Sequence, residues 1–208
     1  MGKFISFEGL DGSGKTSVMQ AIQARLVERL GADKIVMTRE PGGTPLGETI
    51  REVLLADAAK TMDPVTEALL FAASRRQHVV EKIQPALAKQ QWVLSDRFLD
   101  SSLAYQGGGR QLGVETVQAI NAVAVNDCLP DLTIFLDVPR TAGLERIQKH
   151  RQNQVNRLDQ EQADFYERVR ATFLTLAQEN PARLVVVDAT QPLAEVVAAV
   201  WQVIETRL

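Results

Sequence analysis

One cysteine, Cys128, and two histidines, His78 and His150, are all that this 208-residue chain offers of the residues that build disulfide frameworks and soft metal sites. A single thiol excludes an internal disulfide and any multi-cysteine metal centre, and its apolar neighbourhood reads as a buried core thiol; a cytoplasmic location is the expectation. Neither histidine has a cysteine cluster beside it, so both read as ordinary surface or core residues. No apolar run reaches the length needed to span a bilayer, and no signal-like segment opens the chain. Positive charge is also short: 23 Lys and Arg against 26 Asp and Glu leave a net charge of −3. That balance argues against general affinity for nucleic acid or acidic membranes and assigns any anionic ligand to a local site. No repeat, low-complexity tract or linker is visible, and 45% hydrophobic residues suffice for one sizeable core. One domain over residues 1–208 is expected.

What is present centres on Gly9-Leu10-Asp11-Gly12-Ser13-Gly14-Lys15-Thr16, two glycines five apart followed by Lys and Thr. Lys3 to Glu8 before it has strand character and Val18 to Leu30 after it has helical spacing, which is the context a phosphate-binding loop requires. The opening Met1 to Ser6 also fits a myristoylation pattern, but Lys3 onward is needed as the strand feeding the loop, so that match reads as accidental. The glycines let backbone N–H groups turn inward around an anion, and the helix N-terminus adds partial positive charge. Lys15 then suits the β- and γ-phosphates of a nucleotide, and the Thr16 hydroxyl suits Mg²⁺.

Strand and helix patterns alternate along the rest of the chain. Lys34 to Thr38 reads as a second strand, followed by an Arg39-to-Thr44 loop. An Arg and a Glu at the end of a parallel strand sit where open α/β sheets place ligand contacts, although a solvated charged turn would look the same. A short helix over Gly47 to Leu55 and a longer one opened by Asp63-Pro64 come next. Phe71 and Arg75, four apart, share a face of the longer helix; they can meet a base, but spacing alone favours a packed Phe and a snorkelling Arg. Trp92 to Ser95 is a buried-type strand ending at Asp96-Arg97, and a polar, glycine-rich stretch, Asp100 to Gly109, follows. Asp96 at a strand end can hold Mg²⁺ through water, and Arg97 can face a phosphate. Val114 to Val125 is helical, and Asp131 to Asp137 is a strand suited to a sheet covered on both faces. Between Arg140 and Arg157 five cations (Arg140, Arg146, Lys149, Arg151 and Arg157) stand against Glu145 alone, which reads as a mobile basic lid over about 140–158. A helix over Asp159 to Ala177, a strand over Leu184 to Val187 and a helix over Leu193 to Ile204 close the chain. The expected architecture is α/β: a P-loop three-layer fold with a five-stranded parallel sheet and helices on both faces.

The order of the phosphate loop, Thr38 to Thr44, Phe71 to Arg76, Asp96 to Gln106 and Asn156 to Glu161 resembles the bacterial thymidylate kinase family over nearly the whole chain. The resemblance implies transfer of the γ-phosphate of ATP to dTMP, with Mg²⁺ as cofactor and with the phosphate loop from Gly9 to Thr16 binding ATP. It implies that Phe71 stacks on thymine, that Arg75 reaches its O4, and that Ser101 and Gln106 read the pyrimidine edge. Arg39 and Arg97 would hold the acceptor phosphate, Asp11 would lie near the sugar 3′-hydroxyl and Tyr105 would crowd the place of a 2′-hydroxyl. Lys15, Arg97 and the lid residues Arg151 and Arg157 would be catalytic, with Thr16 and Asp96 at the metal. Phe98 stands where many relatives carry Tyr, so no hydroxyl is available there. The resemblance further implies a homodimer through helices around 47–84 and 113–126, where Val114, Val117, Ile120, Val123 and Val125 put apolar residues on more than one face. The rivals are a kinase acting on another nucleoside monophosphate or on a deoxynucleoside, the latter needing Glu8 or Glu40 as a base, and a nucleotide-gated switch, against which the chain lacks the Asn-Lys-x-Asp guanine signature.

Overall fold

A computed structural model of the chain describes residues 1–56, 59, 61–143, 146 and 163–208. Five strands, β1 (Phe4–Glu8), β2 (Ile35–Arg39), β3 (Trp92–Asp96), β4 (Leu132–Asp137) and β5 (Leu184–Asp188), form one sheet in the order β2-β3-β1-β4-β5. Every neighbouring pair is parallel. Around the sheet lie the α-helices α1 (Lys15–Leu30), α2 (Pro45–Leu55), α3 (Pro64–His78), α4 (Gln84–Ala88), α5 (Leu99–Ser102), α6 (Val114–Val125), α7 (Ala163–Glu179) and α8 (Leu193–Arg207).

Strand β1 explains the three layers. Its side chains alternate between faces and all five residues are buried, so each face must be covered. Ile5 and Phe7 meet Val18, Ile22 and Leu26 of α1 and Val196, Val200 and Ile204 of α8. Phe4 lies on the opposite face, with Val79 and Ile83, Val117 of α6, and Phe165, Val169 and Phe173 of α7. Ser6 and Glu8 share that second face and are fully buried, which obliges them to find partners inside. Ser6 bonds Thr133 at 2.9 Å, and Thr133 in turn donates to Asp100, which Arg183 clamps at 2.6 and 2.8 Å.

Several boundaries differ from those that sequence spacing predicts. Helix α2 starts at Pro45, two residues before Gly47, because Thr44 caps it by accepting from Gly47 N at 3.1 Å while Pro45 fills the first turn. Strand β2 runs one residue further, so Arg39 pairs with Asp96 at the carboxyl end of β3. The polar stretch after β3 is not an open loop: α5 continues into a π-helical turn, Leu103–Gly109, in which every residue but Gly108 is buried. A Cβ on Gly109 would lie 2.5 Å from the Phe165 ring, so the glycines let α7 press against this turn. Among the described residues no helix is long and apolar enough to cross a membrane.

Candidate active site

The carboxyl ends of β1, β2 and β3 open into a cavity of about 1050 Å³ that runs from the phosphate loop to α3 and the π-helical turn. That volume is at the top of the range usual for one small-molecule site, roughly 300–1,000 Å³, and leaves room for two nucleotides meeting at their phosphates. The loop enters α1 through Gly14 in the left-handed region, with no side-chain cap on the helix N-terminus. The first N–H groups of α1 are therefore left for an anion. Gly12 has φ of 79°, and a Cβ there would collide with the Gly143 carbonyl, so close backbone approach as well as the turn requires glycine. Lys15 is buried, and its Nζ donates to the carbonyls of Gly9 at 2.9 Å and Leu10 at 3.1 Å. Burial lowers its pKa from the ordinary lysine value and Arg97 adds to the effect, against Asp11, Asp96 and Glu8.

Arg97 faces the loop across the cavity. Its backbone has φ of 71°, unusual for a residue with a side chain, and is held there by Arg97 N donating to Phe7 O and by Ser95 Oγ donating to Arg97 O at 2.7 Å. The guanidinium donates to Ser101 Oγ at 3.0 Å, Asp11 Oδ1 at 3.1 Å and Tyr105 Oη at 3.4 Å, and lies 5.0 Å from the Tyr105 ring centroid. Burial opposes its charge, but Tyr105, Asp11, Asp96 and Glu8 together hold its pKa well above the ordinary value. Burial raises that of Tyr105, against the pull of Arg97. Ser101 Oγ in turn donates a hydrogen bond to Glu8 Oε2 at 2.5 Å, and Glu8 Oε1 accepts from Phe98 N. Burial, and then the neighbouring Asp100, push the Glu8 carboxyl up to about 8.

The base-sized end of the cavity is built by α3. Phe71 and Arg75 both line it, half-buried and buried respectively. Arg75 is wholly inside: Nε donates to Glu40 Oε2 at 2.8 Å, Nη2 to Phe98 O at 3.1 Å and Ser102 Oγ at 3.0 Å, and Nη1 to Asn121 Oδ1. It does not snorkel, as its spacing suggested. The other Glu40 oxygen meets His78 Nδ1 at 2.9 Å, and His78 Nε2 meets Thr38 Oγ1 at 2.6 Å, so the histidine is a satisfied core residue. Gln106 is buried, lines the cavity and donates to Glu67 at 2.9 Å. The Phe98 ring packs edge-on against Phe4, with centroids 4.9 Å apart.

Sequence reasoning missed two residues, Arg51 and Glu67, while Arg146, one of the lid cations, does reach the cavity. Arg51 of α2 lines the cavity beside Arg39 and donates to Pro41 O at 3.0 Å; burial lowers its pKa and the Arg39 charge adds to this. Arg39 itself is half-exposed and pairs with Glu48 at 2.7 Å. Arg146 lines the far end, donating to Ala189 O and Thr190 O. Glu67 lies four residues before Phe71 on α3, a spacing that could have drawn attention to it. Thr16 and Asp96 line the same cavity. One hydroxyl and one carboxylate fit Mg²⁺, which keeps several waters and binds through one or two carboxylates plus substrate phosphates. Among the described residues there is no group of three or more His, Cys, Asp or Glu that would form a protein cage. The lid arginines Arg151 and Arg157, with most of 140–158, lie outside the described residues.

Comparison with known proteins decides the family. The thymidylate kinase family model matches residues 7–200. The chain belongs to the thymidylate kinase family. It is 54% identical to the thymidylate kinase of Latilactobacillus sakei over 98% of this chain and 95% of that one. It is likewise 54% identical to that of Limosilactobacillus fermentum over 99% and 96%. The crystal structure of thymidylate kinase from Ehrlichia chaffeensis superposes with a TM-score of 0.80 at 35% identity, covering 98% of both chains. This thymidylate kinase family member thus carries the expected five-stranded parallel sheet, with the phosphate loop and Arg97 on one cavity.

Proposed function

We propose that this chain phosphorylates dTMP: the γ-phosphate of ATP passes to the dTMP phosphate, giving ADP and dTDP. The observation that carries this reading is the pairing of Arg97 with Asp11, which ties a cation for the acceptor to the loop that holds the donor. A monophosphate is anionic at neutral pH and attacks phosphorus without a base, so the site has to supply position and positive charge. A deoxynucleoside kinase would have to deprotonate a neutral hydroxyl. Both Glu40 oxygens are engaged by Arg75 and His78, and Glu8 is buried against Phe98 N and Ser101, so neither carboxylate is placed to serve.

Lys15 has three ammonium protons, two of them on loop carbonyls, which leaves one for a phosphate oxygen. Thr16 and Asp96 would hold Mg²⁺. Bound there, the ion would neutralise charge on the β- and γ-oxygens. Phe71 offers a face for thymine and Gln106 an acceptor for its N3–H, while Arg39, Arg51 and Arg97 surround the acceptor phosphate. We assign the end beside Arg146 and Ala189 to the donor's base, and Arg151 and Arg157 to closing over the phosphates. The reading treats residues 1–208 as one catalytic domain, since a single sheet takes strands from Phe4 to Asp188. It places the chain in the cytoplasm, where both nucleotide pools and a reduced Cys128 belong.

A panel of acceptors scored by ADP release tests the function. Sites built on hydrogen bonds reject wrong partners by about 10⁴ or more, whereas one methyl group is worth roughly 10 to 200-fold. Activity should therefore fall modestly from dTMP to dUMP and steeply to dCMP, and Gln106→Ala should compress only the second ratio. Faster turnover of thymidine than of dTMP would overturn the reading.

We also propose a homodimer through α2, α3 and α6. Val53, Leu69 and Val123 are 50%, 53% and 80% exposed on these adjoining helices, an apolar face that a lone chain leaves in water. Val117 and Val125 instead serve the core. Sedimentation of a 22.9 kDa species at micromolar concentration would refute the dimer.

A further inference from the structure

Gln106 carries two chemically opposite ends on one side chain, an amide NH₂ and a carbonyl oxygen, and only its surroundings determine which one faces a ligand. Nε2 donates to Glu67 Oε1 at 2.9 Å, and Gln106 lines the cavity from the π-helical turn, so the carbonyl end is the one left to the cavity. Glu67 does not line the cavity; it sits behind Gln106 in the first turn of α3, its side chain 3% exposed. Arg110 holds both of its oxygens, Nε on Oε1 at 3.2 Å and Nη2 on Oε2 at 3.3 Å. The Arg110 guanidinium is in turn braced 5.0 Å from the Phe165 ring centroid.

We propose that Glu67 is a positioning residue that sets pyrimidine specificity by locking the Gln106 amide with its oxygen toward the substrate. A carboxylate only accepts, so a reversed amide would set oxygen against oxygen and leave its own NH₂ facing away from the carboxylate. The locked orientation presents an acceptor to the base. Thymine and uracil offer N3–H to it, whereas cytosine presents a lone pair at N3. The choice of base is therefore made one residue behind the cavity wall. The inference rests on the reading of Gln106 as the residue that meets N3.

The test is kcat/KM for dTMP, dUMP and dCMP on parent, Glu67→Gln, Glu67→Asp and Gln106→Ala enzymes. In Glu67→Gln a single oxygen replaces the two that Gln106 and Arg110 share, and in the orientation that sets it on Arg110 Nη2 an NH₂ faces Gln106. The Gln106 amide then reverses and offers a donor to the cavity, which suits cytosine. The dTMP to dCMP ratio should fall by about 100-fold or more, with the dTMP to dUMP ratio unchanged, since sites built on hydrogen bonds carry discrimination of this size. Glu67→Asp remains acceptor-only and should keep the parent ratio to within a few fold, whatever its absolute rate. Should Glu67→Gln not fold, the Glu67→Ala, Arg110→Ala double variant removes both charges together and frees the amide, and its ratio should fall as well. Equal losses on all three substrates, or an unchanged ratio in Glu67→Gln beside a compressed one in Gln106→Ala, overturn the role of Glu67 and leave the base reading intact. An unchanged ratio in Gln106→Ala overturns the base reading and this inference with it.

Discussion

Arg97→Ala should lower kcat for dTMP by about 10³-fold or more, because a well-placed arginine contributes roughly 10³ to 10⁵ where charge spreads over the transferring phosphoryl group. The substitution removes the cation proposed for the acceptor phosphate and also releases Asp11, its partner at 3.1 Å on the phosphate loop. Arg97→Gly should be equally inactive but more stable than Arg97→Ala by about 1–2 kcal/mol. The backbone at position 97 has φ of 71°, which costs any residue with a Cβ about that much and glycine almost nothing. The chain thus holds a strained residue at the point where the proposed transfer needs a guanidinium, a pattern common to functional sites. Steady-state rates and thermal melts of the two variants check both halves. An Arg97→Gly variant less stable than Arg97→Ala would show that the conformation is not strained, and a tenfold loss or smaller would remove Arg97 from the transfer step.

The same residue marks how much sequence can tell. Its position after Asp96 at a strand end was readable from hydrophobic pattern and from the phosphate loop upstream, as was the alternation of strands and helices that set the parallel sheet. Those signals are local. Arg51 and Glu67 escaped because each is an ordinary charged residue on a helical pattern, and what distinguishes it is a partner on another segment: Pro41 O for Arg51, Gln106 for Glu67. The glycine-rich run Gly107 to Gly109 has the composition of a loop, yet its glycines serve a close helix contact, which composition does not record. Arg75 was misjudged for a related reason. On an isolated amphipathic helix an arginine beside a phenylalanine reaches for water, but here Glu40, Asn121 and the Phe98–Ser102 stretch arrive from three other segments to receive it. Long-range satisfaction of polar groups decides such cases, and no spacing rule on one helix contains it.

Arg75→Ala should therefore act first on stability. The side chain is 1% exposed and is paired with a Glu40 carboxylate that is itself 3% exposed. Breaking a buried pair by removing one partner costs about 3–5 kcal/mol, because the charge left behind is neither solvated nor paired. At about 2–4 °C per kcal/mol for a chain of this size, the melting temperature should drop by roughly 6–20 °C. Arg75→Lys should recover little of it, since one ammonium cannot span Glu40, Asn121, Ser102 and the Phe98 carbonyl as a planar fork does. Glu40→Gln should cost less, as its amide oxygen can still accept from Arg75 while only the His78 contact is reversed. The Arg75→Met, Glu40→Gln double variant should lose less than the sum of the single losses, because the second change removes a charge that the first had stranded. Additive losses would mean that Arg75 and Glu40 stabilise the fold independently. A loss under about 1 kcal/mol for Arg75→Ala would mean that water enters and solvates Glu40. In the stable variants the KM for dTMP should still rise, since the donors that Arg75 gives to α5 and to Asn121 hold the cavity wall in which Phe71 stands.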